Sequence, residues 1–492
     1  MRQYSFFKRG AKSFLFLLLA IFQILVFNKT FAALPTNVQL KTFYDTTAIR
    51  FTEPVWFEQY PGETGAYIVG ELGGNLFLLE PITGGFKSTA FGHIPATKVS
   101  GNDGLLGIAF HPNFITNRKY YVYYIPVLGQ GLLEERTAKA SFKADSGITR
   151  TILQSTFGNT VHNGGDIHFG SDGYLYLGFG DAGNPNVYNA NSQDLHLLYG
   201  KMIRIDINNK ATGLQYVIPS SNPFYNSTDV QVRKEIWAYG LRNPWRWTFD
   251  PLTGRMFLAD VGDWIQEEVD TITPGGNYGW SKREGNTCFN SAAETSPLAT
   301  CDTTGLIGPL TAIAHASPTA LASACIIGGV VFRGNSASGS YGAYIFGDYT
   351  TRKLYAMLPV SKGVVQTATI GTTSTGMASF GTDSKGNIYM VGHDNGIIYR
   401  LDHPDLVGST AISHHTIQKA KVLIRQGEKW LVDAQTFPGI SQLRVLDLSG
   451  KVCVTLNRTQ LSQGVTINLS PGIYFAEGQG NLYKTTFSLL LK

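Results

Sequence analysis

Between Leu34 and His403 the apolar residues do not recur at helical spacing. They fall in short alternating or continuous runs of β-branched and aromatic residues, each bounded by Gly, Asp or Asn. Alternation with a period of two places successive side chains on opposite faces of a strand, so the pattern predicts an all-β chain. Six runs resemble one another: 66–69 (AYIV), 119–124 (KYYVYY), 174–178 (YLYLG), 255–259 (RMFLA), 343–346 (AYIF) and 387–391 (NIYMV). Their starts are 53, 55, 81, 88 and 44 residues apart, irregular but centred near the repeat length of blades that carry loop insertions. Six units of three or four strands predict a six-bladed β-propeller over 34–405, in which loops distant in sequence converge on a central channel. A pair of β-sandwiches is the competing arrangement.

After Leu401-Asp402-His403-Pro404 the composition changes, and a polar connector (406–415) leads into 416–492, which has its own strand pattern. Alternating segments at 421–424, 430–432, 442–448, 465–469 and 473–477, with turns at 448–451 and 470–472, predict a small β-sandwich.

Composition narrows the function. Charged residues make up 15% and aromatics 12%, with 55 Gly against 20 Pro, which argues against disorder and coiled coil. The net charge of +5 is misleading as a whole. Residues 1–33 hold five basic side chains (Arg2, Lys8, Arg9, Lys12 and Lys29) and no acid, and from Ser413 onward nine Lys and Arg face four acids, so the stretch between carries about −5. That body has no general positive field with which to bind nucleic acid. The basic start, the apolar run 14–27 and the small residues near Ala32 and Ala33 read as a secretory signal over 1–33. The expected location is therefore outside the cytoplasm, secreted or at the cell surface. Export favours a loop disulfide among Cys288, Cys301 and Cys325, and Cys288 could pair with either of the others.

Two stretches could carry chemistry. In the first, His162 ends one loop, a Gly-punctuated hairpin follows, and Asp181 starts the next loop, so both residues fall on one rim of the disc. An imidazole there suits proton transfer near neutral pH, although a lone His before Gly is more often a turn residue. In the second, Arg242 and Asn243 precede Pro244, which holds them extended, where a guanidinium and an amide can donate to an anionic or quinone oxygen. The plainer reading pairs Arg242 with a blade carboxylate such as Asp260. His111 and His168 read as supports of turns and strand faces.

Together these stretches resemble the glucose/sorbosone dehydrogenase family, the soluble quinoprotein six-bladed propellers that include aldose sugar dehydrogenases. The resemblance spans most of 40–402. It rests on Gly104-Leu105-Leu106-Gly107-Ile108-Ala109-Phe110-His111-Pro112, the His162 segment, Gly200-Lys201-Met202-Ile203-Arg204-Ile205-Asp206, Tyr239-Gly240-Leu241-Arg242-Asn243-Pro244-Trp245, and Gly328-Gly329-Val330-Val331-Phe332-Arg333-Gly334 with Gly347-Asp348-Tyr349. It implies that an aldose or oligosaccharide is oxidised at C1 with hydride transfer to pyrroloquinoline quinone (PQQ), and that electrons pass to an external acceptor. His162 would be the general base, Asp181 a substrate contact, and Arg242 and Asn243 the cofactor's quinone-side partners. The Gly262-Asp263 turn would hold Ca²⁺ through backbone carbonyls. The tail, with Leu443-Arg444-Val445-Leu446-Asp447-Leu448-Ser449-Gly450-Lys451, Leu469-Ser470-Pro471-Gly472-Ile473-Tyr474-Phe475 and Lys492, is similar to the C-terminal sorting domain of the type IX secretion system. This implies transport through the periplasm and an encounter with that secretion machinery.

The chain also departs from the family pattern. Where basic residues would clamp the cofactor's carboxylates, it reads Gly376-Met377-Ala378-Ser379-Phe380-Gly381, and Thr350 stands about where a lysine would be useful. Arg333 and Arg352 are the candidate substitutes. Val161 precedes His162 where the glucose enzymes have an acid. Two other functions stay open: a non-catalytic surface propeller that binds glycans or protein, and a calcium-dependent lactonase, which would need side-chain carboxylates and Asn converging in the channel.

Overall fold

The computed structural model describes residues 34–408 except 45, 62, 64, 98–102, 157–160, 184–190, 317–322 and 362–363. Beyond them it describes 423–426, 429–432, 440–446, 452–457, 460, 466–467, 472–480 and 484–491. The signal segment 1–33 and most of the connector 406–415 lie outside the described residues. So do parts of the tail motifs, including Asp447 to Lys451, Leu469 to Pro471 and Lys492.

Six four-stranded antiparallel sheets form the blades. Blade 1 is Pro54–Gln59, Tyr67–Glu71, Asn75–Ile82 and Gly85–His93, and blade 2 is Leu105–Phe110, Lys119–Val127, Gln130–Ala138 and Asp145–Thr156. Blade 3 is Ile167–Phe169, Leu175–Phe179, Lys201–Ile205 and Ile236–Tyr239, and blade 4 is Pro244–Phe249, Met256–Asp260, Gln266–Ile272 and Thr311–Ala314. Blade 5 is Ile326–Val331, Tyr344–Asp348, Lys353–Ser361 and Val364–Thr372. Blade 6 takes Met377–Thr382, Ile388–Gly392 and Ile397–Asp402 and borrows its outermost strand, Gln39–Thr42, from the start of the propeller. That strand pairs Gln39 with Asp402 and Thr42 with Tyr399, so the ring is closed by the first and last strands of the propeller. The six recurring runs of the sequence are the second strands of the six blades. The wide gaps reflect the long sequence separations between Leu175–Phe179, Lys201–Ile205 and Ile236–Tyr239 in blade 3 and between Gln266–Ile272 and Thr311–Ala314 in blade 4.

The first strands line the axis, and five of the six break register near their start: between Pro54 and Trp56, Leu105 and Gly107, Pro244 and Arg246, Ile327 and Val330, and Met377 and Ser379. A bulge leaves a residue out of the ladder and re-aims its carbonyl. Buried Arg246 uses this, donating from Nη1 to Leu106 O (2.8 Å) and from Nη2 to Val55 O (3.0 Å), while Trp245 Nε1 reaches Ala378 O (3.1 Å). Blade 4 thereby ties itself to blades 1, 2 and 6 across the channel. Between blades the core is apolar, and around the ring closure Phe43, Phe57, Tyr67 and Tyr389 meet at centroid distances of 4.7 to 5.8 Å.

In the tail, Leu423–Gln426, Lys429–Val432 and Thr466–Ile467 form a three-stranded sheet, and Val452–Asn457, Ile440–Leu446, Gly472–Gly480 and Lys484–Leu491 a four-stranded one. Each segment expected there from alternation overlaps a strand.

Candidate active site

The connections from the outermost strand of one blade to the first of the next, and the turns between second and third strands, share one end of the disc, the upper face. His162, Asp181, Arg242, Asn243, Gly262 and Asp263 all lie there. His162 adopts φ 53°, and Gly180 passes so close that a Cβ on it would strike the His162 carbonyl. His162 Nδ1 lies 2.8 Å from Asp181 Oδ1. A carboxylate at that distance fixes the Nδ1–H tautomer and leaves Nε2 as an acceptor. Asp181 is itself fixed by Trp280 Nε1 on Oδ2 (2.7 Å) and by the Gly183 N–H on Oδ1 (2.7 Å).

Burial, and next the charge of Arg242, hold the His162 pKa below its usual value, against the pull of Asp181. The imidazole is therefore neutral at neutral pH. For Asp181 burial acts upward, but the hydrogen bond and charge of His162, with Arg242 and Gly183, keep the carboxyl below its ordinary range.

Arg242 is nearly buried. Its Nη2 meets Asp263 Oδ1 at 2.7 Å, its Nη1 meets Val261 O at 2.9 Å, and its guanidinium lies 5.4 Å from the Trp280 ring centroid. Asp260, the expected partner, instead accepts the backbone N–H groups of Arg242 (2.8 Å) and Asn243 (2.6 Å), which locks the extended stretch before Pro244. Asn243 Oδ1 accepts the Gly164 N–H at 3.2 Å and so joins this loop to the His162 loop.

The Gly262-Asp263 turn is organised by a residue the sequence reading missed. Glu284 Oε1 accepts the N–H groups of Asp263, Trp264, Ile265 and Gln266 at 2.7 to 3.0 Å, and Glu267 Oε2 accepts that of Gly262. A trans peptide points its C=O opposite to the following N–H. The carbonyls of Gly262 and Asp263 therefore turn away from Glu284. Glu284 and Trp280 both come from the blade 4 insertion, which is stapled by the Cys288–Cys301 disulfide (Cα–Cα 5.7 Å), so the open pairing resolves to Cys301 and leaves Cys325 out. A carboxylate in a Gly- and Ala-rich insertion was the one available signal for Glu284.

Arg333 needs correction. It follows Ile326–Val331, whose end pairs with Tyr344, so it projects at the lower face and forms a two-pronged ion pair with Asp250 (2.8 and 2.6 Å). Arg352 follows the opposite end of the hairpin, after Asp348, and is on the upper face with Tyr349, His393 and Asp394. Lys201 was seen only as a motif letter. It is buried and donates to the carbonyls of Asn191 (2.7 Å), Ser192 (3.0 Å) and Tyr199 (2.6 Å), while Asn191 Nδ2 donates to Asp181 O. Burial draws its pKa down to about 7, yet three acceptors call for the ammonium. Lys201→Met takes the ammonium away from the Asn191 and Tyr199 carbonyls, while Ser192 O keeps the Gly240 N–H; it is expected to cost about 3 kcal/mol, read as a lower urea midpoint with an unchanged slope.

Among the described residues no group of three or more His, Cys, Asp or Glu side chains is arranged to hold a metal. The turn carbonyls fit Ca²⁺ in kind, being oxygen donors fixed by Glu284, with a buried and unbonded Asp263 Oδ2 beside them. For PQQ, Arg242 keeps a buried Nε–H with no acceptor, a donor of the kind a quinone oxygen takes. A carboxylate side is available near Arg352 rather than at the uncharged start of Met377–Thr382.

Fold and site together define a six-bladed propeller with a carboxylate-oriented histidine and a buried arginine at the mouth of its channel. The glucose/sorbosone dehydrogenase profile matches residues 51–400, and the chain belongs to that family. Among curated proteins it resembles the HIPL2 protein of Arabidopsis thaliana, 29% identical over 391 residues (64% of this chain, 56% of that protein). It also resembles the aldose sugar dehydrogenase of Escherichia coli, 29% identical over 197 residues (38% and 48%). The chain spans about half the length of the curated relatives it matches. Among solved structures, the PQQ-bound aldose sugar dehydrogenase of Streptomyces coelicolor superposes with a TM-score of 0.56 at 20% identity, covering 75% of this chain and 99% of that one. The apo Escherichia coli enzyme gives 0.59 at 20% identity, covering 74% and 99%. These likenesses show the fold.

Proposed function

We propose that this chain is an exported sugar dehydrogenase that oxidises an aldose or oligosaccharide at C1, with His162 as general base and PQQ with Ca²⁺ as cofactors. The observation that carries the reading is the His162–Asp181–Trp280 chain. Asp181 takes Nδ1–H, so Nε2 is free to accept a proton from a sugar hydroxyl, and the resulting imidazolium is stabilised by the Asp181 carboxylate. The Arg242 charge keeps the base neutral beforehand and would favour negative charge developing on a substrate or cofactor oxygen. PQQ, when bound, supplies the two-electron acceptor, with Arg242 and Asn243 on its quinone side. Ca²⁺ would rest on the Gly262 and Asp263 carbonyls. Glu284→Ala, which releases the four N–H groups orienting that turn, is expected to weaken Ca²⁺ binding about tenfold or more in a calorimetric titration.

The export part of the reading rests on the basic and apolar start of the chain. Delivery by type IX secretion rests on the tail motifs, and an external acceptor would take the electrons. A second reading, a non-catalytic binding propeller, is favoured by the uncharged 376–381 stretch. It is also favoured by likeness to the human Hedgehog-interacting protein, 26% identical over 355 residues (66% of this chain, 47% of that protein). Calorimetric titration of the full chain with PQQ in Ca²⁺ separates the two: saturable binding supports the dehydrogenase, and no binding at high micromolar PQQ by folded protein supports the second reading.

A further inference from the structure

The Arg352 side of the upper face is built around one carboxylate. Asp394, in the turn after Ile388–Gly392, accepts from Tyr349 Oη on Oδ1 (2.8 Å), and on Oδ2 from Arg352 Nη2 (2.9 Å) and the Gly376 N–H (2.9 Å). His393 Nδ1 stands 3.4 Å from Oδ1. The donors come from two loops, the 349–352 turn of blade 5 and the connection into blade 6, and the arrangement is costly to make. Arg352 holds φ 60°, a conformation that disfavours any side chain. Its guanidinium lies 4.9 Å from the centroid of the Tyr349 ring, and a Cβ on Gly376 would strike its Nη1. That Nη1 is buried with no acceptor, so the guanidinium keeps a spare donor. Arg352 and Asp394 remain about a third exposed, so a ligand can reach them. The cluster adjoins the catalytic side, because Tyr349 N–H donates to Cys325 O (2.8 Å) and the next residue's N–H, that of Ile326, donates to Glu267 Oε2 (3.0 Å), which also accepts the Gly262 N–H.

A guanidinium, a phenol and a backbone N–H converging on one carboxylate make a carboxylate receptor. We propose that this receptor serves a ligand carboxylate at the propeller mouth, and that Asp394 is an internal cap occupying it until the ligand displaces it. The inference rests on the dehydrogenase reading for one ligand source, the carboxylates of PQQ. The other source with the same chemistry is an acidic sugar. The cap neutralises Arg352, so a chain with no charge at 376–381 presents no standing positive field there and admits an anion only by exchange.

The test is calorimetric binding of PQQ, and separately of galacturonate against galactose, to the full chain with Ca²⁺ present. Asp394→Asn keeps an oxygen for the Gly376 N–H and removes the charge that neutralises Arg352. It is expected to bind the carboxylate ligand at least about tenfold more tightly than the unaltered chain, equivalent to about 1.4 kcal/mol, and adding Arg352→Gln is expected to remove the gain. Asp394→Ser is the second variant should the first not fold. Equal or weaker PQQ binding by both folded Asp394 variants, with the unaltered chain binding PQQ, overturns the cap and leaves the dehydrogenase reading intact. If no form binds PQQ but Asp394→Asn gains galacturonate over galactose, the cofactor reading falls and the receptor stands for an acidic sugar. If no form binds either anion, both fall.

Discussion

His162→Gln is expected to lower sugar-dependent dye reduction by the PQQ- and Ca²⁺-loaded chain about a thousandfold, while PQQ binding changes little. Glutamine keeps much of the volume but has no group that takes a proton near neutral pH, and general-base contributions are about 10²- to 10⁴-fold. The pH profile carries the same information. Burial and Arg242 lower the His162 pKa, so the rate of the unaltered chain should rise with pH through an inflection below 6.5 and then level off. Below that inflection His162 is protonated and cannot accept. Asp181→Asn should move the inflection further down, because the group that favours imidazolium is gone.

Arg242→Met is expected to be the most destabilising single change in the site. It leaves Asp263 buried without its cation, and breaking such a pair costs about 3–5 kcal/mol. The pair cannot be worth that much itself, since removing both charges together is often nearly neutral. The double variant Arg242→Met with Asp263→Asn should therefore recover much of the urea midpoint without recovering dye reduction. In the single variant the acid limb should shift to higher pH, because a positive neighbour that disfavoured imidazolium has been removed, and in the double variant less so, because Asp263, which favoured it, is gone too. A double-mutant cycle on stability and activity separates the two roles of Arg242.

His162 and Asp181, which the sequence placed on one rim, are joined by a single hairpin, and so are Arg242 and Asp263, although the sequence had set Arg242 against Asp260. His162 and Asp181 flank the strands 167–169 and 175–179, and Arg242 and Asp263 flank 244–249 and 256–260, so each pair returns to the same face. The same counting would have separated Arg333 from Arg352. Arg333 ends a first strand at the lower face and Arg352 follows a second strand at the upper face, and proximity in sequence misled because one strand traverse lies between them. The recurring runs were legible because second strands are buried on both faces and so are almost continuously apolar, with aromatic or β-branched residues among them. Glu284 was not, since it matters through backbone N–H groups of another loop, which are the same for every residue type, and Asp394 was not, since its donors come from loops distant in sequence. The disulfide partner was closed to sequence for a related reason: Cys301 and Cys325 are both near in the chain, and only the return of the insertion to blade 4 decides between them.

The most direct measurement is steady-state dye reduction by the full chain between pH 5 and 9, with PQQ, Ca²⁺ and an aldose each supplied or withheld. The reading predicts turnover only when all three are present, rising with pH to a plateau after an inflection below 6.5. No turnover from folded, PQQ-saturated protein with any of a panel of aldoses and oligosaccharides would contradict it.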